Sequence, residues 1–178
     1  MITLELRREL ADKDGKRASA SEAAAWKEMG LSRSGLTRYL QAAQKAAGLL
    51  GEVDVLLAGD RTLRRLNREF RGKDKATDVL SFPSPAEFAG EHAGDLAISL
   101  DTAQRQAREQ GHTLRDEVRI LLLHGVLHLL GMDHETDGGA MASRESHLRA
   151  RLRLPHGLIA RADRATVKAK GKPFRVRA

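Results

Sequence analysis

The sequence predicts an α+β domain, α/β-like in character: a small four-stranded mixed sheet with one central, buried helix that carries a cluster of histidines. Three observations lead there. Short apolar runs such as Val53/Val55/Leu57 and GDLAISL (94–100) have the length and the bounding turns of strands. Between them lie segments whose apolar residues recur every three or four positions, as in Leu36, Tyr39, Leu40, Ala43 and Ala47. The stretch from Leu114 to Leu130 is apolar on nearly every face, as a helix enclosed on all sides must be.

Each element follows from a local signal. Ile2, Leu4 and Leu6 alternate with polar residues and predict a first half-buried strand. Residues 11–31, rich in Ala, Ser, Lys and Asp, read as a variable surface insert with a short helix around Ser21 to Met29. Ser34 is the expected N-cap of the next helix. The strand at Val53–Leu57 is closed by Gly59, and Asp60 is the expected N-cap of a helix whose Leu63, Leu66 and Phe70 form one stripe. TDVLSFP (77–83) predicts the third strand, ended by Pro83 and Pro85, and GDLAISL the fourth. Asp101 is expected to cap a polar helix reaching Gln110. Thr113 with Asp116 resembles a capping box that opens the central helix. A last helix spans about Gly139 to Leu152. No repeat and no linker between two cores interrupts the chain, so residues 1–160 read as one domain followed by a basic, flexible tail, 161–178.

Composition narrows the function classes. At 178 residues, 41% hydrophobic and 31% charged, the chain can bury one sizeable core. The absence of cysteine removes disulfides, thiolate metal sites and cysteine nucleophiles together. MITLELRREL lacks the basic and apolar regions of a signal peptide. The longest apolar stretch, Ile120 to Leu130, falls short of the roughly 20 residues needed to span a bilayer. A cytoplasmic protein with no membrane partner is expected. The net charge of +7 is concentrated in the tail, where seven Lys/Arg face the single acid Asp163 and give +6; the other residues carry +1. Such a tail either binds a polyanion by counterion release or is a solvated extension.

The chemistry lies in HGVLHLLGMDH (124–134). His124 and His128 are four apart and share one helix face. His134 joins them only if the helix stops at Gly131, where a left-handed cap would turn the chain back. Three neutral imidazoles with one open position describe a catalytic zinc site, although an all-nitrogen set also suits nickel, copper or iron. The same spacing occurs in metzincin peptidases, H-E-x-x-H-x-x-G-x-x-H, where the glutamate is the general base. Here that position is Gly125, which disfavours peptide hydrolysis.

LNREFRGKDKATDVLSFP (66–83) is the second motif. Its charges read either as a solvated turn or as an anion contact. Arg71 is the residue of interest, because it follows the Leu63/Leu66/Phe70 stripe and a phosphodiester needs a cation as charge grows on its oxygens.

These two motifs, together with GDLAIS, resemble the YbeY family of bacterial endoribonucleases over roughly residues 50–153. The resemblance implies one divalent metal, zinc first, held by His124, His128 and His134, with Arg71 in the active-site cleft. It also implies single-strand-specific RNA cleavage in small-subunit rRNA maturation and ribosome quality control. The expected partners are single-stranded RNA, rRNA and the ribosome or its small-subunit proteins, with no DNA. Ala76 stands where members often have proline and Met132 where many have tyrosine, which affects loop shape rather than a ligand. The insert and the tail lie outside the pattern that carries the resemblance.

On this reading residues 1–160 form a metallohydrolase domain whose catalytic candidates are Arg71, His124 and Asp133. Asp133 either orients an imidazole or accepts a proton, or it is a turn aspartate. Asp95 has a weaker case, as the start of a strand. With one Trp, one Tyr and four Phe, stacking platforms for bases are scarce. Two other readings stay open: a metallohydrolase of another substrate class, and a non-catalytic ribosome assembly factor with a structural metal. A fourth protein ligand, with His147 and Glu135 the nearby candidates, would favour a structural metal. His92, His112 and His156 read as surface residues.

Overall fold

From β1 (Ile2–Leu4) the chain passes to α1 (Arg33–Ala47), β2 (Glu52–Ala58), α2 (Asp60–Arg71), β3 (Val79–Pro83) and β4 (His92–Ser99). Three helices follow, α3 (Leu100–Gln110), α4 (Leu114–Leu129) and α5 (Ala140–Arg151), and then β5 (Ala165–Thr166). The structure is a computed structural model that describes residues 1–4, 24–88, 90–134, 136–155 and 165–166. The sheet order is β1-β2-β4-β3-β5. β1, β2 and β4 run parallel, β3 opposes β4, and β5 lies parallel to β3.

The mixed sheet of an α+β domain is therefore present, but the four-stranded expectation needs correction. Three strands of five to eight residues form its body, with edge strands of three and two residues. The N-terminal strand is present where its alternation begins, at Ile2 and Leu4, and Leu6 lies outside the described residues. A two-residue strand such as β5 carries no periodic signal at all. Most of the predicted tail, 161–178, and residues 11–23 of the predicted insert lie outside the described residues as well.

The pleat divides the apolar residues between two layers. Val53, Val55, Leu57, Val79, Leu96 and Ile98 pack with α1 and α4 in the main core. Leu56, Ala58, Leu80, Phe82 and Ala97 face Leu63, Leu66 and Phe70 of α2 on the other side. Residues 24–31, expected on the surface, contribute Trp26 and Leu31 to the main core. Gly125 lets α4 lie close on β4: a Cβ there would stand 2.6 Å from Leu96 Cδ2. All described side chains from Ile120 to Leu129 are buried, as the all-round apolar pattern predicted.

The helix starts differ from expectation because the caps come from other positions. Ser32, not Ser34, caps α1 by accepting from Gly35 N–H at 3.2 Å. α2 has Gly59 at its N-cap, and Asp60 N–H donates to Asp101 Oδ2 at 2.9 Å. Ser99 caps α3, and Asp60 accepts hydrogen bonds from the Ser99 and Thr102 hydroxyls and from Arg105. Asp101 thus satisfies a backbone donor that α2 leaves open, while Asp60 holds the Ser99 and Thr102 hydroxyls at the start of α3.

Burial would raise the Asp60 carboxyl, but these three donors outweigh it and hold it below the usual aspartate value. A depressed folded value contributes stability at neutral pH that is lost as pH falls through it. Asp60→Asn is expected to lower the melting temperature at neutral pH. It should also flatten the further loss of stability below about pH 4. Parallel acid-induced slopes for wild type and variant would contradict this assignment.

Candidate metal centre

The site exists because a helix ends on schedule. Thr113 Oγ1 accepts from Asp116 N–H at 3.1 Å and opens α4, and the last helical residue is Leu129. Gly131 takes φ +82°. Its N–H donates to His128 C=O at 2.9 Å, and Met132 N–H donates to Leu127 C=O at 3.2 Å. This pair of bonds is a Schellman motif, which needs the left-handed residue that glycine supplies without strain. The chain then folds back through Asp133, whose carbonyl accepts from Thr136 and Asp137 N–H. Asp137 in turn accepts from Gly139 and Met141 N–H at 2.9 and 2.8 Å and starts α5.

The result brings His124, His128 and His134 together, with one ring nitrogen from each inside a mutual 4.8 Å. His124 Nε2 lies 2.9 Å from His128 Nε2. His124 and His128 are buried, and His134 buries an Nδ1 with no hydrogen-bond partner among the described residues. Two ligand nitrogens about 2.0–2.1 Å from one tetrahedral ion stand about 3.3 Å apart. The one short separation, 2.9 Å, lies close to that distance and the third nitrogen lies within 4.8 Å of both, so the three imidazoles fit a single divalent ion with side-chain adjustment.

Electrostatics favour the ligand form of these rings. Burial pushes the His124 imidazole below its ordinary value, against the pull of Glu145. Burial and the neighbouring His134 do the same to His128. Neutral imidazoles offer lone pairs, and second partners select which nitrogen presents one. His124 Nδ1–H donates to Glu145 Oε2 at 2.7 Å, which leaves Nε2 facing the cluster. His128 hydrogen-bonds the backbone of Met132. Burial alone would raise the Glu145 carboxyl, but the His124 hydrogen bond and the Arg149 guanidinium outweigh it and hold it at about 2. The charge pair is therefore Glu145 with Arg149, whose Nη2 donates to Oε1, and His124 is the neutral member.

Glu145 is the residue that sequence reasoning missed. It lies 21 positions beyond His124 on a separate helix, so no local spacing links them. The visible hint was a Glu-x3-Arg pair, 145 and 149, on a helix short of apolar residues. The two fourth-ligand candidates fare differently: His147 is exposed on α5, and Glu135 lies outside the described residues. The cluster is a group of three among the described residues. Asp133 is half-buried, and its charge acts on His128.

Arg71 stands at the C-terminal end of α2, on the sheet face opposite α4. Its neighbour Phe70 packs edge-on against Phe82, ring centroids 5.1 Å apart. Pro83, the next residue, pairs with Gly94, and Leu129 lies against that glycine. Arg71 and the end of the histidine helix thus reach the same end of the sheet from opposite faces.

Three smaller expectations change. Asp95 is not at a strand start: it is buried within β4, in register with Asp54, with His92 Nε2 3.5 Å from its Oδ2. His92 is accordingly half-buried. His112 is not a surface residue either, since its side chain is buried against Glu117 at 2.6 Å. His156 lies outside the described residues.

Comparison with known proteins gives the chain a family. The sequence profile of the YbeY family, described as "Endoribonuclease YbeY", matches residues 18–153. That range takes in part of the segment read as an insert. The chain is 54% identical over 140 residues to the Endoribonuclease YbeY of Koribacter versatilis, covering 79% of this chain and 90% of that relative. It is 56% identical over 133 residues to that of Solibacter usitatus, covering 75% and 88%. The solution structure of TM1509 from Thermotoga maritima aligns over 85% of this chain and 89% of that one, with a TM-score of 0.49 and 24% identity. With the profile spanning the core elements and more than half of the aligned residues identical in these two relatives, the chain belongs to the YbeY family.

Proposed function

We propose that this protein is a metal-dependent, single-strand-specific endoribonuclease that acts in small-subunit rRNA maturation and ribosome quality control. The family name of its relatives supports the reaction. The observation that carries the metal dependence is the group of three buried or half-buried imidazoles, with Glu145 fixing the tautomer of the first. His124, His128 and His134 would hold one divalent ion, zinc first, because the donor set is all nitrogen. A divalent ion there supplies Lewis acidity toward a phosphate oxygen and lowers the pKa of water toward about 7.

The chain's own residues do the rest. His124 and His128 stay neutral through burial, and Glu145 and the Met132 backbone hold their rings in place. Asp133, beside His128, orients that ring or accepts a proton. Arg71 neutralises charge on the phosphoryl oxygens. The partners are single-stranded RNA, rRNA and the ribosome or its small-subunit proteins. Among the described residues no helix is long and apolar enough to cross a membrane, and we assign the protein to the cytoplasm. Residues 1–160 would form the metallohydrolase domain, with 161–178 as a basic tail from which Ala165 and Thr166 join the sheet beside β3.

The test is cleavage of one RNA sequence presented single-stranded and as a duplex. Cutting of the single strand alone is expected. Arg71→Ala should retain bound metal while cleavage falls by about 10²-fold. Metal loss in that variant would mean that Arg71 supports the fold of the site rather than the reaction. A wild type that binds metal yet cuts neither RNA would favour the assembly-factor reading.

A further inference from the structure

Helix α2 carries charge out of proportion to the rest of the domain. Residues 60–75 hold seven Lys/Arg against three acids, a net of +4, so the remainder of residues 1–160 is net negative. The cations are ordered. Leu63, Leu66 and Asn67 are buried, while Arg61, Arg64, Arg65 and Arg68 are exposed at the i, i+3, i+4 and i+7 spacing of one helix face.

The loop after α2 extends this face. Asn67 Nδ2 donates to Lys75 C=O at 2.8 Å, and Arg64 holds Asp74 with two bonds of 2.8 and 2.7 Å. The chain therefore runs back along the helix and adds Lys75 to the same surface, beside a shallow cleft of about 500 Å³ lined by Asp60, Arg61, Arg64, Asp74, Lys75 and Ala76. Two of the three acids are already engaged, Asp60 by Arg105 and Asp74 by Arg64. Arg61, Arg65 and Lys73 form no ion pair among the described residues. From Arg61 to Arg71 the stripe is about 15 Å long, at 1.5 Å per residue. Its last residue stands at the sheet end that the histidine helix also reaches.

From this geometry we infer that the exposed face of α2 and its returning loop are a track for the phosphodiester backbone of RNA, binding the part of the strand outside the metal centre. The inference rests on the RNA reading of that centre. A stripe of guanidinium groups without exposed aromatic rings suits phosphates rather than bases, so the track adds affinity without sequence preference. An acidic protein would instead need apolar anchors, and the outward positions of this helix offer none.

The experiment uses the full chain, with Arg61→Gln/Arg65→Gln compared with an equal-charge control, Arg38→Gln/Lys45→Gln, on the exposed side of α1. Binding of a long single-stranded RNA is measured as a function of salt. Cleavage of that RNA and of a trinucleotide too short to leave the site is followed in parallel. If each arginine contacts one phosphate, the α2 variant should lose about 1.4 from the magnitude of the log–log salt slope, at about 0.7 per contact on single strands. Between about 50 and 200 mM salt its affinity should then fall about sevenfold less than that of wild type. The control should keep the wild-type slope, and trinucleotide cleavage should be unchanged in both.

An unchanged slope in the α2 variant overturns the track. An equal loss in the control also overturns it, since net charge alone would then explain the binding. A wild type that binds RNA but never cuts it would sink the nuclease reading, while the slope difference would still support the track.

Discussion

His128→Ala is expected to lose both bound metal and RNA cleavage while remaining folded. The ring it removes is 1% exposed, and its Nε2 is 2.9 Å from that of His124. Two imidazoles then remain, which are too few to hold an ion against water and buffer. Removing an outer partner of a metal ligand typically costs 10–100-fold in affinity or activity. Loss of a ligand itself should exceed the upper end of that range. Glu145→Gln gives the graded counterpart: it keeps the shape but not the charge of the acceptor at His124 Nδ1, so metal affinity should fall by about 10–100-fold. Metal content by elemental analysis and cleavage by gel assay, on variants whose circular dichroism matches wild type, check both. Retained metal in His128→Ala would remove the three-histidine centre from the account.

Gly125→Glu should fail in two ways, although it rebuilds the H-E-x-x-H spacing of a peptidase. A Cβ at this position would stand 2.6 and 2.9 Å from the two Leu96 methyl carbons. Overpacking of this kind costs about 1–3 kcal/mol. The carboxylate would also enter the layer between α4 and the sheet, where the cost of an unpaired buried charge adds several kcal/mol. We expect a protein that barely folds and shows no peptidase activity. Gly125→Ala isolates the steric part, partly offset by the roughly 1 kcal/mol that alanine gains in helix propensity. A folded, peptide-cleaving Gly125→Glu variant would show that this residue faces the site rather than the sheet. The missing glutamate is thus explained by packing: α4 approaches β4 too closely at this position to carry a side chain.

The histidine cluster was legible because its information is local. Helical periodicity aligned His124 with His128, and one glycine decided where His134 would go. The central helix was legible for the same reason, through apolar residues on every face. What escaped depends on pairing between distant segments. Glu145 reaches His124 from another helix, and Asp101 caps a helix that begins 41 residues earlier. His112 is a different case: its partner Glu117 is only five residues on, but the burial of the pair comes from the packing around it. The N-terminal strand was visible in its alternation, but its parallel pairing with β2, more than 50 residues away, was not. Arg71 was identified as a residue without its sheet face, which follows from the alternation of Leu80 and Phe82 against α2.

We propose that these three histidines hold an ion on which RNA cleavage depends. This is tested most directly by measuring metal content and single-stranded RNA cleavage on one purified preparation, before chelation, after chelation and after zinc is restored. About one ion per chain is expected at the start. Metal and cleavage should then be lost together on chelation and recovered together, with His128→Ala inactive throughout. Cleavage that persists undiminished in the metal-free protein would contradict it.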